Sequence, residues 1–182
     1  MISREEALKL VEEHMTNRNL IKHVLAVEAI MRSLADKFDG DPDVWGLAGL
    51  LHDLDYESTK ENPEKHGYKT LKLLEGIDLS EEIKHAILAH VGHVEPECPM
   101  DHAIYCSDPV TGLIVASALM HPTKSLSGMD DEFVGRRFKE KRFAAGADRE
   151  AIASCSELGI DLHDFLHLSL NAMRGISEDL GL

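Results

Sequence analysis

The chain has 182 residues, enough for one domain with a sizeable buried core. Its 33 acidic against 19 basic side chains disfavour a nonspecific nucleic-acid or membrane surface. They leave a small phosphorylated substrate open, because a bound divalent cation brings its own positive charge.

Ser3 and Glu6 have capping-box spacing and predict a first helix to about His14. Leu20, Val24, Val27, Met31, Leu34 and Phe38 repeat at intervals of three and four, which predicts a long amphipathic helix closed by Asp39-Gly40. Asp41-Pro42 reads as a cap and first helical position for a third helix, apolar nearly all round from Val44 to Leu51 and therefore central. Asp55 to Glu61 reads as a polar connector, and Asn62-Pro63 as the start of a helix through Leu74, stopped at Gly76. Ser80 and Ile83 to Val91 predict another helix, and a proline-bearing loop then leads to one over about Asp101 to Leu119, kinked or broken at Pro109. His121-Pro122 ends that unit. Three more helices are expected over about Asp131–Phe143, Ala147–Leu158 and Asp161–Leu180, with Gly146 and Gly159 as stops. No strand, repeat or linker is evident. The expected fold is a single all-α domain over 1–182, with a core at about 18–122 and a helical extension at 123–182.

Cys98, Cys106 and Cys155 are odd in number and lack C-x-x-C spacing, so free thiols are expected. The N-terminus shows no signal-peptide pattern, and no apolar run approaches the roughly 20 residues of a membrane span. A cytoplasmic location follows as the expectation.

His52-Asp53 ends the apolar run Trp45–Leu51, where an imidazole and a carboxylate are costly to bury unless something satisfies them. A metal ion satisfies both. Other inward-facing candidates are His23, His90 and Asp108, each three or four residues from apolar neighbours on its helix. His66 falls on the first turn of its expected helix, at the edge of a buried face. Polar side chains aimed at the core from separate helices fit a metal centre, and imidazole with carboxylate suits iron, manganese, zinc or nickel. His163-Asp164 is a second His-Asp pair but lacks matching partners and reads as a solvated helix edge. His85, opposite Ile83 and Ile87, reads as exposed.

The order His23, His52-Asp53, His66, His90, Asp108 resembles the HD superfamily of metal-dependent phosphohydrolases. The chain is similar to small bacterial HDIG-type members in Gly49-Leu-Leu-His-Asp-Leu-Asp-Tyr56, Glu64-Lys-His-Gly67, Asp108-Pro-Val-Thr-Gly-Leu-Ile114 and Phe143-Ala-Ala-Gly-Ala-Asp-Arg-Glu150. The resemblance implies one or two divalent metals and hydrolysis of a phosphate ester or anhydride, in a nucleotide or other small phosphorylated compound, by a metal-activated hydroxide. With two metals, Asp53 bridges, His23, His52 and Asp108 complete one, and His66 and His90 the other. With one metal, His66 and His90 contact substrate and Asp55 becomes the general base. Nucleotidase-type members carry a glutamate where this chain has Tyr56, which speaks against a simple nucleoside monophosphatase.

Further roles have two readings each. Asp55 is a catalytic carboxylate or a partner that orients a ligand imidazole. His93 is a proton donor or substrate contact, or a loop histidine without a role. Arg137, Lys141 and Arg142, in the concentrated basic stretch, grip far phosphates or form a solvated face, and Lys124 has the same two readings. The same ligand set fits a di-iron oxygenase. A ligand-sensing HD module without catalysis is the third option, and a homodimer remains open.

Overall fold

A computed structural model describes residues 1–182. The chain is helical, without strands: α1 (Arg4–His14), α2 (Arg18–Lys37), α3 (Pro42–Leu51), α4 (Tyr56–Thr59), α5 (Tyr68–Leu73), α6 (Glu81–Ala89), α7 (Pro99–Met120), α8 (Asp131–Lys139), α9 (Arg149–Ala153), α10 (Leu162–Arg174) and α11 (Ser177–Leu180). One apolar core runs from Ala7 on α1 to Leu180 on α11.

Local chemistry sets most helix starts. Ser3 and Glu6 form the capping box of α1, with Ser3 N–H donating to Glu6 (2.8 Å) and Glu6 N–H to Ser3 Oγ (3.2 Å). Asp41 caps α3 ahead of Pro42, and Ser80 caps α6. In α3 every residue from Trp45 to Leu51 is buried, as its apolar circumference requires. α2 lies against it so closely that a Cβ on Gly49 would stand 2.9 Å from the Glu28 backbone nitrogen and 3.0 Å from the Val27 carbonyl carbon. That close approach brings the ligand-bearing stretch of α2 beside the end of α3.

α7 is the second axis of the fold and packs on α2, α6, α8, α9 and α10. It runs unbroken through Pro109, so the expected division into two pieces does not occur. Contrary to the sequence expectation, α7 is long and apolar enough to cross a membrane by length and composition. Here its apolar surface is that of a core helix: Val110, Leu113, Ile114 and Ala118 are fully buried.

Other boundaries differ from expectation. The connector after Asp55 contains the short helix α4. The helix expected over Asn62–Leu74 is interrupted: Pro63–Lys65 is a 3-10 turn, His66 is extended (φ −59°, ψ 139°), and Gly67 has φ +79° before α5 begins. Asn62 makes no side-chain cap bond, and Gly67 adopts a backbone conformation that side chains disfavour. α8 stops at Lys139 because Arg149 claims the following carbonyls, as described below. The last two expected helices each divide, the first into α9 and a 3-10 turn (Ser154–Leu158), the second at Gly175. Gly159 does end its turn in the left-handed conformation (φ +69°). The three cysteines are free, and burial pushes the Cys155 thiol up to about 11.

Candidate metal centre

Four imidazoles and two carboxylates meet between α2, the end of α3, the α4–α5 connection, the end of α6 and the middle of α7. His52 and Asp53 follow the last residue of α3, so the main chain leaves the helix as these side chains enter the core. Asp53 is central. Its Oδ2 lies 3.5 Å from His23 Nε2, while its Oδ1 lies 3.6, 3.2 and 3.6 Å from the Nε2 atoms of His52, His66 and His90. Asp108 closes the far side, 3.1 Å from His23 Nε2.

Each imidazole is oriented through its other nitrogen. His52 Nδ1 donates to Gly49 O (2.8 Å), His90 Nδ1 to Ile87 O (2.5 Å), His66 Nδ1 to Asp55 Oδ1 (2.6 Å) and His23 Nδ1 to Thr111 Oγ1 (2.8 Å). Thr111 in turn donates to Asp108 O at 2.9 Å, so two ligand positions share one hydroxyl. With Nδ1 so engaged, all four Nε2 atoms face inward, the arrangement that metal-ligating histidines adopt.

The residues fit a divalent metal. His52 Nε2 is buried without any hydrogen-bond partner, an expensive state for a polar atom unless a cation meets it. His23, His52 and Asp108 each place a donor atom within 4.8 Å of the others, and so do His52, Asp53 and His90. Donors held by one ion at about 2.0–2.2 Å stand roughly 3 to 3.5 Å apart. The observed separations need only small adjustments. His52 stands in both groups, whereas the sequence reading gave it to the His23 side alone.

Electrostatics agree with this picture. Burial drives His52 down to about 4, so it is neutral. Burial opposes protonation of His66 too, but its bonds to Asp53 and Asp55 prevail and hold it up at about 9. Asp53 sits well below its ordinary range: burial alone would raise it, and the surrounding imidazoles, led by His52, outweigh that. Asp108 is lowered by His23 against the same opposing effect of burial. Solvent reaches the centre on one side: the Asp108 side chain is 34 % exposed and that of His52 fully buried.

A cavity of about 540 Å³ opens on this side, lined by ligands together with Tyr56, Tyr105, Gly146 and Asp148. The structure places three groups that had two readings each. Asp55 is fully buried and does not line the cavity; its Oδ1 takes His66 and its Oδ2 takes Thr70 N–H (3.0 Å), a geometry that matches its orienting reading. His93 also lies off the cavity: Nε2 donates to His66 O (2.8 Å) and its ring stacks on Tyr68, which fixes the extended His66 backbone. The basic stretch does not reach the cavity. Arg137 pairs with Glu140 (2.8 Å) and covers the rings of Phe133 and Phe143, while Lys141, Arg142 and Lys124 are exposed elsewhere. His85 is half-buried rather than exposed, with Nδ1 on Asp101 (2.9 Å). His163 and Asp164 are exposed and outside the centre, as expected.

Tyr105 escaped the sequence reading, whereas Thr111 and Asp148 stand in the motifs Asp108–Ile114 and Phe143–Glu150 and had no role of their own there. Thr111 also lies three residues after Asp108 and so on the same face of α7.

The HD domain model matches residues 20–149. The match passes the end of the core expected at residue 122 and takes in Asp148. Curated relatives include the Ribonuclease Y of Sulfurovum sp. (strain NBC37-1), 26% identical over 136 residues (73% of this chain, 27% of that protein). That of Symbiobacterium thermophilum is 25% identical over 169 residues, covering 90% of this chain and 32% of the relative. That of Aliarcobacter butzleri (strain RM4018) is 31% identical over 94 residues, 52% of this chain and 18% of the relative. The chain thus spans a third or less of the length of these relatives. No solved structure matches significantly. By its matched motif and its converging ligands, the chain belongs to the HD domain family of metal-dependent phosphohydrolases.

Proposed function

We propose that the protein hydrolyses a phosphate ester or anhydride bond in a nucleotide or other small phosphorylated compound, with a divalent metal pair held by His23, His52, Asp53, His66, His90 and Asp108. The observation that carries this reading is the orphaned, fully buried His52 Nε2 among three further inward-facing Nε2 atoms and a carboxylate with both oxygens engaged. When bound, the metals supply Lewis acidity, which acidifies a water and offsets charge on the phosphoryl oxygens.

The chain's own groups do the positioning. Asp53 presents one oxygen to the His23 side and the other to the His66 and His90 side, which suits a bridging ligand. Asp55, Thr111, Gly49 O and Ile87 O hold the rings so that little reorganisation accompanies reaction. Asp108, the most open of the six, stands where a substrate enters.

The relatives are named ribonucleases, yet an RNA strand is a poor match for this chain alone. Its net charge is −14, and no lysine or arginine lines the cavity. The test is a panel of phosphomonoesters and phosphodiesters with protein loaded in turn with iron, manganese, zinc or nickel. Hydrolysis with more than one ion, lost in Asp53→Ala, supports the reading. Activity confined to iron and coupled to oxygen consumption would replace it with the oxygenase, and no chemistry from fully loaded protein would leave a sensing module.

A further inference from the structure

Part of the cavity wall comes from the loop between α8 and α9, and Arg149 builds it. Its guanidinium donates to the carbonyls of Phe138 (3.2 Å), Phe143 (2.5 Å), Ala144 (2.9 Å) and Ala147 (2.7 Å) and stacks on the Phe138 ring. One side chain thus gathers four main-chain oxygens and holds Gly146 and Asp148 against the cavity. Asp148 caps α9, with Oδ1 accepting from Glu150 N–H (2.8 Å) and Ala151 N–H (3.1 Å). Its Oδ2 has no protein partner.

The charge around the cavity is one-sided. Asp53, Asp108 and Asp148 line it, and none of its 14 lining residues is lysine or arginine. The metal ions can balance one phosphate at the ligands. A second phosphate carried further out on the substrate would meet the exposed Asp148, and no cation lines the cavity to offset the repulsion.

We propose that Asp148 is a specificity-determining residue, restricting the site to esters with a single phosphate on an otherwise uncharged group. This rests on the phosphohydrolase reading above and narrows it, since it disfavours polyphosphates and bisphosphates as substrates. The free carboxylate oxygen is the selecting group; the cap bonds made by Oδ1 are a separate, structural duty. Asp148→Asn keeps an acceptor for the cap and removes the charge, so it separates the two.

The experiment is calorimetric binding of a nucleoside 5′-monophosphate and the matching 3′,5′-bisphosphate to manganese-loaded protein, with metal content checked after titration. The wild type should bind the monophosphate at least tenfold more tightly than the bisphosphate. Asp148→Asn should narrow that ratio to about twofold, chiefly by better bisphosphate binding. Asp148→Ser, which also keeps a capping oxygen, serves if the asparagine variant folds poorly. A wild type that binds the bisphosphate equally well, a ratio unchanged in the variants, or no binding of either nucleotide overturns the proposal. Hydrolysis of bis(p-nitrophenyl) phosphate by the same preparation reports separately on the phosphohydrolase reading. Hydrolysis with a flat binding ratio sinks only the selectivity; a preserved ratio without hydrolysis sinks only the activity.

Discussion

His66 and His90 face each other Nε2 to Nε2 at 3.4 Å, each with its Nδ1 hydrogen donated to a neighbour. Two lone pairs cannot share that space unless a proton or a cation stands between them. Without metal the proton belongs to His66, flanked by Asp53 and Asp55 and held at about 9. With metal, that proton must leave.

Metal loading at pH 7 is therefore expected to release a proton from His66. The sign follows from the raised value: affinity climbs with pH until about 9 and then levels off for this group. His52, near 4, adds nothing above about pH 5. Calorimetry in two buffers of different ionisation enthalpy measures the proton count, and a count of zero at pH 7 would show that His66 is already neutral.

Asp53→Ala should lose both bound metal and phosphoesterase activity, because this carboxylate presents one oxygen to the His23 side and the other to the His66 and His90 side. His163→Ala and Asp164→Ala should keep both. Elemental analysis alongside an activity assay decides it, and metal retained by Asp53→Ala would refute the ligand assignment.

Asp55→Ala should weaken metal binding about 10- to 100-fold while leaving the six ligands in place, the usual cost of removing a carboxylate behind a metal-binding imidazole. Competition with a chromophoric chelator gives the number. Unchanged affinity would mean that His66 needs no support from Asp55.

Gly49→Ala should lower stability by about 1–3 kcal/mol, since the new methyl meets α2 backbone that cannot move alone. It also pushes α2, and His23 with it, away from His52. Chemical denaturation of the metal-free protein isolates the packing cost, and metal titration of the folded variant reports the displaced ligand.

The six candidate ligands that converge were legible because each lies on the apolar face of a helix, at the end of a helix, or at the edge of a buried stretch, and helical spacing reveals faces. The course of the chain near His66 was not legible. Asn62-Pro63 looks like a helix start, but the Asp55 bond and the His93 bond to the His66 carbonyl hold that residue extended, and both partners are remote in sequence. The sequence left the basic stretch with two readings for a similar reason. Charge pattern marks Arg137 as cationic, but only the fold shows it lying over Phe133 and Phe143. Asp148 stood in the Phe143–Glu150 motif without a role, and its place on the cavity depends on carbonyls that Arg149 gathers from up to 11 residues away.

The position of α7 also bears on how the protein can be divided. During synthesis this apolar helix emerges after α2 and α6, which take part of its surface, but before α8, α9 and α10, which take the rest. A fragment ending at Pro122 would carry all six ligands and still present a membrane-like strip to water, open to aggregation or to hydrophobic binding partners. The C-terminal helices thus cover the rest of this apolar helix, and the half that carries the candidate ligands is not a separable module.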